Sequence, residues 1–222
     1  MAVSAIQKRR QRTLFLTQFS LLLAIEAIVC FTPLGSLPIG PMVATLSHIP
    51  VIVTAITLGT GAGSLMGFFF GLFSFLVWTF TAPGPLSFVF TPFYSAGEVR
   101  GNFWSLVICF VPRILIGTFT GLVFSALHKL LKEGVKDFAS YVAAGIVGSL
   151  TNTILVLGGI YVFFGEPYAA ANGLAYAALF GAVMAVVGTN GLLETALGAL
   201  AAVGICKPIR TFVLHEGRTH RV

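Results

Sequence analysis

Apolar runs separated by short polar or Pro- and Gly-rich stretches set the pattern of the chain. An α-helix crossing a bilayer core needs roughly 20 apolar residues, and six candidate spans emerge. The first runs from about Leu14 to Phe31 and stops at Pro33. The second covers Met42 to Leu58, and Thr60-Gly61 turns the chain into the third, Gly61 to Phe80. After an irregular segment with Pro83, Pro85 and Pro92, the fourth runs from Phe103 to Leu127 and the fifth from Phe138 to Phe164. Gly165-Glu166-Pro167 breaks the chain, and the last span ends before Lys207-Pro208. Ala169 to Val187 is apolar and Ala-rich, and its role stays open between a seventh crossing, a re-entrant piece and an extension of the last helix.

Charge decides the count. Lys and Arg concentrate in cytoplasmic loops near span ends. The N-terminal arm carries Lys8, Arg9, Arg10 and Arg12, the loop after span four Lys129, Lys132 and Lys136, and the tail Lys207, Arg210, Arg218 and Arg221. The other connections hold only Arg100. Six spans put all three clusters on one side, whereas seven would put the basic tail outside. The expectation is therefore an all-α integral membrane bundle of six transmembrane helices with both termini cytoplasmic. Residues 1–13 form an arm, 14–208 the bundle and 209–222 a tail, with 169–187 on the outer side or partly inserted. The first apolar run is too long for a signal-peptide core and has no small-residue cleavage site before Pro33, so it reads as a retained helix.

Composition agrees. Hydrophobic residues make up 57% of the 222 positions and charged residues 9%, where a soluble domain carries about 25% charged. Such a chain has lipid, not water, as its solvent. The net charge of +6 is accounted for by topology and does not point to nucleic acid. Cys30, Cys109 and Cys206 lie in or beside apolar runs without CxxC spacing, as free thiols rather than metal ligands.

Polar side chains inside membrane helices are costly and mark function. Counting 1.5 Å per residue from the basic anchors, Arg113 and Asn152 lie about 24 Å and Asn190 about 25 Å above the cytoplasmic level, with Glu194 near 20 Å and Glu26 near 21 Å. Polar groups on separate spans thus share one depth, in the outer part of the core, as a site open to the outside requires. Thr45 and His48 follow the Pro-rich stretch and are placed to roof it. That stretch, with Pro33, Gly35, Pro38, Gly40 and Pro41, is uncharged and punctuated like a lid. The candidate ligand-binding set is Arg113, Asn152, Asn190, Glu194, His48 and Thr45. Glu26 equally suits a partner-facing or inner position and is left outside it. The alternative is structural: Arg113 pairs with Glu194, and the Asn residues bridge helices.

Gly59, Gly63, Gly67 and Gly71 recur every four residues on one face of span three, where backbones can approach closely. Ser20, Ala24 and Ala27 share a face of span one, for packing within the bundle or against another protein. No phosphate-binding G-x-x-x-x-G-K-[ST] loop is present, so any ATP hydrolysis must come from a partner. H-E-x-x-H and G-x-S-x-G are also missing.

Several stretches, in order, resemble the substrate-binding S components of energy-coupling factor (ECF) vitamin transporters, most of all their pantothenate branch. They are Phe31-Thr32-Pro33-Leu34-Gly35 through His48-Ile49-Pro50-Val51-Ile52, the Gly-repeat span, Pro112-Arg113-Ile114-Leu115-Ile116-Gly117, Gly148-Ser149-Leu150-Thr151-Asn152-Thr153, and Thr189-Asn190-Gly191-Leu192-Leu193-Glu194. The resemblance implies a multi-pass protein of a prokaryotic plasma membrane with an outward-open vitamin site, capped by the loop after span one and lined by spans four to six. It implies no cofactor in this chain and no enzymatic activity of its own. Its partners would be a transmembrane coupling subunit and two cytoplasmic ATPases that use ATP and Mg. Family members contact the coupling subunit through Ala-x-x-x-Ala in span one; the nearest match here is Ser20-x-x-x-Ala24, with Ala27 following. In the pantothenate reading, Arg113 holds a carboxylate, the Asn residues meet amide and hydroxyl groups, and Glu194 pairs with Arg113 or accepts hydroxyl protons. The alternatives are an S component for riboflavin, folate, cobalamin or hydroxymethylpyrimidine, a solitary secondary transporter, and an intramembrane enzyme using Glu194 and His48.

Overall fold

The computed structural model describes the backbone of residues 2–39, 42–96, 99–131 and 136–210, and the side chains there except those of 2–5, 36–44, 96 and 136–137. Among the described residues, six helices make up the bundle: α1 (Ala2–Phe31), α2 (Ile49–Leu58), α3 (Thr60–Leu76), α4 (Phe103–Leu130), α5 (Lys136–Ala171) and α6 (Tyr176–Cys206). Five of them are long and apolar enough to cross a membrane. The sixth, α2, has only ten residues. Met42–Thr45, expected as the start of span two, instead forms strand β2, paired antiparallel with β1 (Ser36–Ile39). Pro50 explains the later start: in the first turn of α2 its missing N–H breaks no helical hydrogen bond.

The stretch from Ala169 to Val187 is not a seventh crossing. Nor is it a separate outer-side element: Ala169–Ala171 end α5, residues 172–175 turn the chain, and the rest opens α6, which runs from Tyr176 to Cys206. α5 breaks at Phe164 (φ −134°, ψ 20°), and Pro167 falls in the first turn of the piece beyond, where it displaces no helical bond. Two π turns interrupt α6, at Val187–Gly191 and Ala202–Cys206. The segment between α3 and α4 holds a 3-10 turn (Ser87–Val89) and a short hairpin of β3 (Ser95–Ala96) and β4 (Val99–Arg100). It ends in a capping box: Asn102 Oδ1 accepts from the Trp104 N–H at 2.8 Å, and Ser105 Oγ accepts from the Asn102 N–H at 3.0 Å.

Glycine lets α3 close on its neighbours. A Cβ at Gly63 would strike Ala55 of α2 and the Gly117 carbonyl of α4, one at Gly67 the Arg113 carbonyl, and one at Gly71 the Phe110 ring. Gly59 does not join this face: it turns α2 into α3 at φ +99°, with open space around it. α1 lies at the periphery. It buries Phe19 and Glu26, while Ser20 and Ala24 are exposed and Ala27 half-buried. The core of α2, α3, α4 and α5 is apolar, built on Val51, Ile52, Met66, Ile116 and Ala144. Arg210 stacks over Phe124 at 4.8 Å, so the basic end of α6 meets the basic end of α4.

Candidate functional site

Cross-helix contacts fix the relative heights of the polar residues. Gly159 faces Ile108 and Gly148 faces Thr120, which brackets Arg113 on α4 and Asn152 on α5 in the same stretch of the bundle. Gly191 faces Thr153 and Gly198 faces Ser149, which places Glu194 of α6 beside that stretch as well. Arg113, Asn152, Glu194 and His48 are all buried, Thr45 and Asn190 partly so.

Within the layer the side chains form two groups. The first lies between α5, α6 and the end of the hairpin. Glu194 Oε1 accepts from the Thr45 backbone N–H at 3.0 Å, and Oε2 from the Thr153 hydroxyl at 3.1 Å. His48 Nε2 and Ser149 Oγ are 3.0 Å apart, and His48 Nδ1 has no partner. Asn152, one turn from Ser149, buries an Oδ1 without a partner. The Asn190 side chain makes no hydrogen bond among the described residues. It lies in the π turn, whose extra residue shifts the inward face of α6 by about 100° between its two halves.

The second group surrounds Arg113. Pro112 has no N–H to give the Ile108 carbonyl one turn earlier, and the Arg113 guanidinium takes that oxygen at 2.8 Å. The side chain is thereby folded along α4, with its charge 5.5 Å from the Phe70 ring centre and 5.3 Å from that of Phe90. Nε has no partner, and Arg113 makes no ion pair among the described residues. The charge-cancelling pair with Glu194 is therefore not formed: both Glu194 oxygens are held by other donors. On α1, Cys30 donates to Glu26 Oε1 at 3.3 Å.

The hairpin of β1 and β2 links the groups. Ser47 Oγ donates to the Gly35 carbonyl at 3.4 Å, and the Leu46 N–H to the same oxygen at 3.0 Å, so the hairpin closes back on its entry. Gly35 is required there, since a Cβ would collide with the Val29 carbonyl and sit 2.7 Å from Ser47 Oγ. Of the expected lid residues, Pro33 and Gly35 form a 3-10 turn and Pro38 pairs opposite Val43; Gly40 and Pro41 lie outside the described residues. Ser47, Ser149, Thr153 and Cys30 join the polar layer without having been singled out by sequence; their adjacency to His48, Asn152 and Glu26 was the available signal. A cavity of about 300 Å³ at the outer rim, lined by Pro85, Phe88, Val99, Pro167, Ala170 and Ala171, is apolar and holds none of these groups.

The arrangement offers an uncompensated cation, free acceptors on separate helices and a tethered cover, the elements of a site for a small polar anion. The model of the family "ECF transporter, substrate-specific component" matches residues 14–206. The pantothenic acid transporter PanT of Lactococcus lactis subsp. cremoris is 37% identical over 166 residues, 74% of this chain and 76% of that protein. The pantothenate transporter PanT of Leuconostoc mesenteroides subsp. mesenteroides is 25% identical over 201 residues, 87% of this chain and 91% of the relative.

Proposed function

The chain belongs to the family of substrate-specific components of ECF transporters, and from that membership we propose that it captures pantothenate from outside the cell and passes it inward through a partner module. It is a multi-pass membrane protein. The observation that carries the substrate reading is Arg113, a guanidinium buried in a lipid-embedded bundle without a counter-ion among the described residues. A buried charge is costly unless paired, and a ligand carboxylate supplies the missing partner with a charge-assisted, fork-shaped hydrogen-bond set. The names of the two relatives support pantothenate as that carboxylate. Asn152 is placed to read an amide or hydroxyl. Glu194 serves the cover, holding the Thr45 amide while Thr153 completes its coordination.

Import against a gradient needs an energy source. A transmembrane coupling subunit and two cytoplasmic ATPases would supply it, with ATP and Mg bound there. The exposed Ser20 and Ala24 on α1 offer the close-approach face for the coupling subunit. Titration calorimetry of the purified protein in nanodiscs tests the substrate. Pantothenate is expected to bind, and Arg113→Ala or Asn152→Ala to weaken it by about tenfold or more. Tight binding of riboflavin, folate or cobalamin with no response to pantothenate overturns the reading.

A further inference from the structure

Helix α1 turns most of its surface away from the bundle, yet one of its few buried positions is an acid. Glu26 is 0% exposed. Its Oε1 receives only a thiol, a weak donor, its Oε2 has no partner, and no cation pairs with it among the described residues. Packing does not require a carboxyl there, since an apolar side chain of similar volume fills such a space without the desolvation penalty. Glu26 accepts from Cys30 one turn on, and the same end of α1 meets Ser47 at Gly35, where the β1–β2 hairpin starts.

Four buried side chains in this layer carry a free polar atom: Glu26 Oε2, His48 Nδ1, Arg113 Nε and Asn152 Oδ1. Of the other free buried hydroxyls, Ser140 sits toward the basic end of α5, while Thr120 faces Gly148 at the edge of the layer. The four read as one cationic donor, one amide oxygen acceptor, and a carboxyl and an imidazole that serve either way. A ligand that satisfies them carries an anionic group and at least two hydroxyl or amide donors, which describes a hydroxylated carboxylic acid.

Resting on the pantothenate reading, we infer that Glu26 is a specificity-determining residue of the ligand site: its free oxygen shares a hydrogen bond with a ligand hydroxyl while Arg113 holds the carboxylate. Glu26 thereby selects hydroxylated acids over their deoxy counterparts, because an analogue without the hydroxyl leaves a buried polar group unpaired.

The test titrates wild type, Glu26→Ala, Glu26→Gln and, as a comparison, Arg113→Ala in nanodiscs with pantothenate and with two analogues, each having one hydroxyl replaced by hydrogen. Wild type is expected to prefer pantothenate over one analogue by about tenfold to a hundredfold. In Glu26→Ala that preference falls to within about twofold, and Glu26→Gln reduces it, whereas Arg113→Ala weakens all three ligands and keeps the preference. A preference intact in Glu26→Ala overturns the inference, whether or not overall affinity drops. A Glu26→Gln protein that loses its monodisperse fold also overturns it, since the carboxyl is then structural. Wild type that binds no pantothenate brings down the substrate reading and this inference with it, a result distinct from a bound ligand whose hydroxyls go unread.

Discussion

Pro112 is the residue whose removal most directly tests how the Arg113 charge is aimed. Proline inside a helix costs about 3 kcal/mol relative to alanine, and here it withholds the N–H that the Ile108 carbonyl would accept. The guanidinium takes that oxygen at 2.8 Å, recovering about 1.5–3 kcal/mol as a hydrogen bond to a charged group. Pro112→Ala restores the backbone donor and displaces the side chain, so the fold gains at most about 3 kcal/mol, less whatever the guanidinium loses. The displaced arginine regains up to about 2 kcal/mol of rotamer freedom. Ligand binding must then remove that freedom, and the affinity falls by up to about thirtyfold. Thermal unfolding and pantothenate titration on one preparation measure both effects, with an unfolding temperature equal to or above wild type and a weaker dissociation constant expected. A variant that binds within about twofold of wild type while unfolding no earlier refutes the anchoring argument.

Other consequences follow from the same geometry. Glu194→Ala removes the acceptor of the Thr45 amide and of the Thr153 hydroxyl; hydrogen exchange at residues 45–46 is expected to accelerate about tenfold and ligand release to quicken, and unchanged exchange argues against a tether. Gly67→Ala drives a methyl into the Arg113 carbonyl, costing about 1–3 kcal/mol of stability and shifting α4; a variant as stable as wild type shows that α3 and α4 can separate there freely. Ala24→Leu adds bulk to an exposed position of α1. Binding by the isolated protein should persist while cellular uptake is lost, and normal uptake removes α1 as the docking face.

The depth of the candidate polar layer was legible in the sequence, and its direction was not. Arg113, Asn152 and Glu194 were placed in one layer by counting residues from Lys129, Lys136 and Lys207, and the contacts between α4, α5 and α6 put them in one stretch of the bundle. Which side each faces was not legible. Arg113 turns toward Phe70 and Phe90 because a proline freed a carbonyl beside it, and Glu194 turns toward the Thr45 amide. Glu26, whose facing the sequence left open, is buried inward, and Met42–Thr45 pairs as a strand instead of extending α2.

The sequence by itself determined the number of helices, the gathering of basic residues at their ends and the depth of each polar residue. Lipid accepts no unpaired backbone and few charges, so length and charge leave one arrangement along the membrane normal. Only the tertiary structure decided the division of the polar layer between Arg113 and Glu194, the folding back of the hairpin onto Gly35, and the half-exposed place of Asn190. Rotation about each helix axis is set by the packing of neighbours and by π turns such as Val187–Gly191, and a single extra residue turns a face by about 100° without changing its depth appreciably.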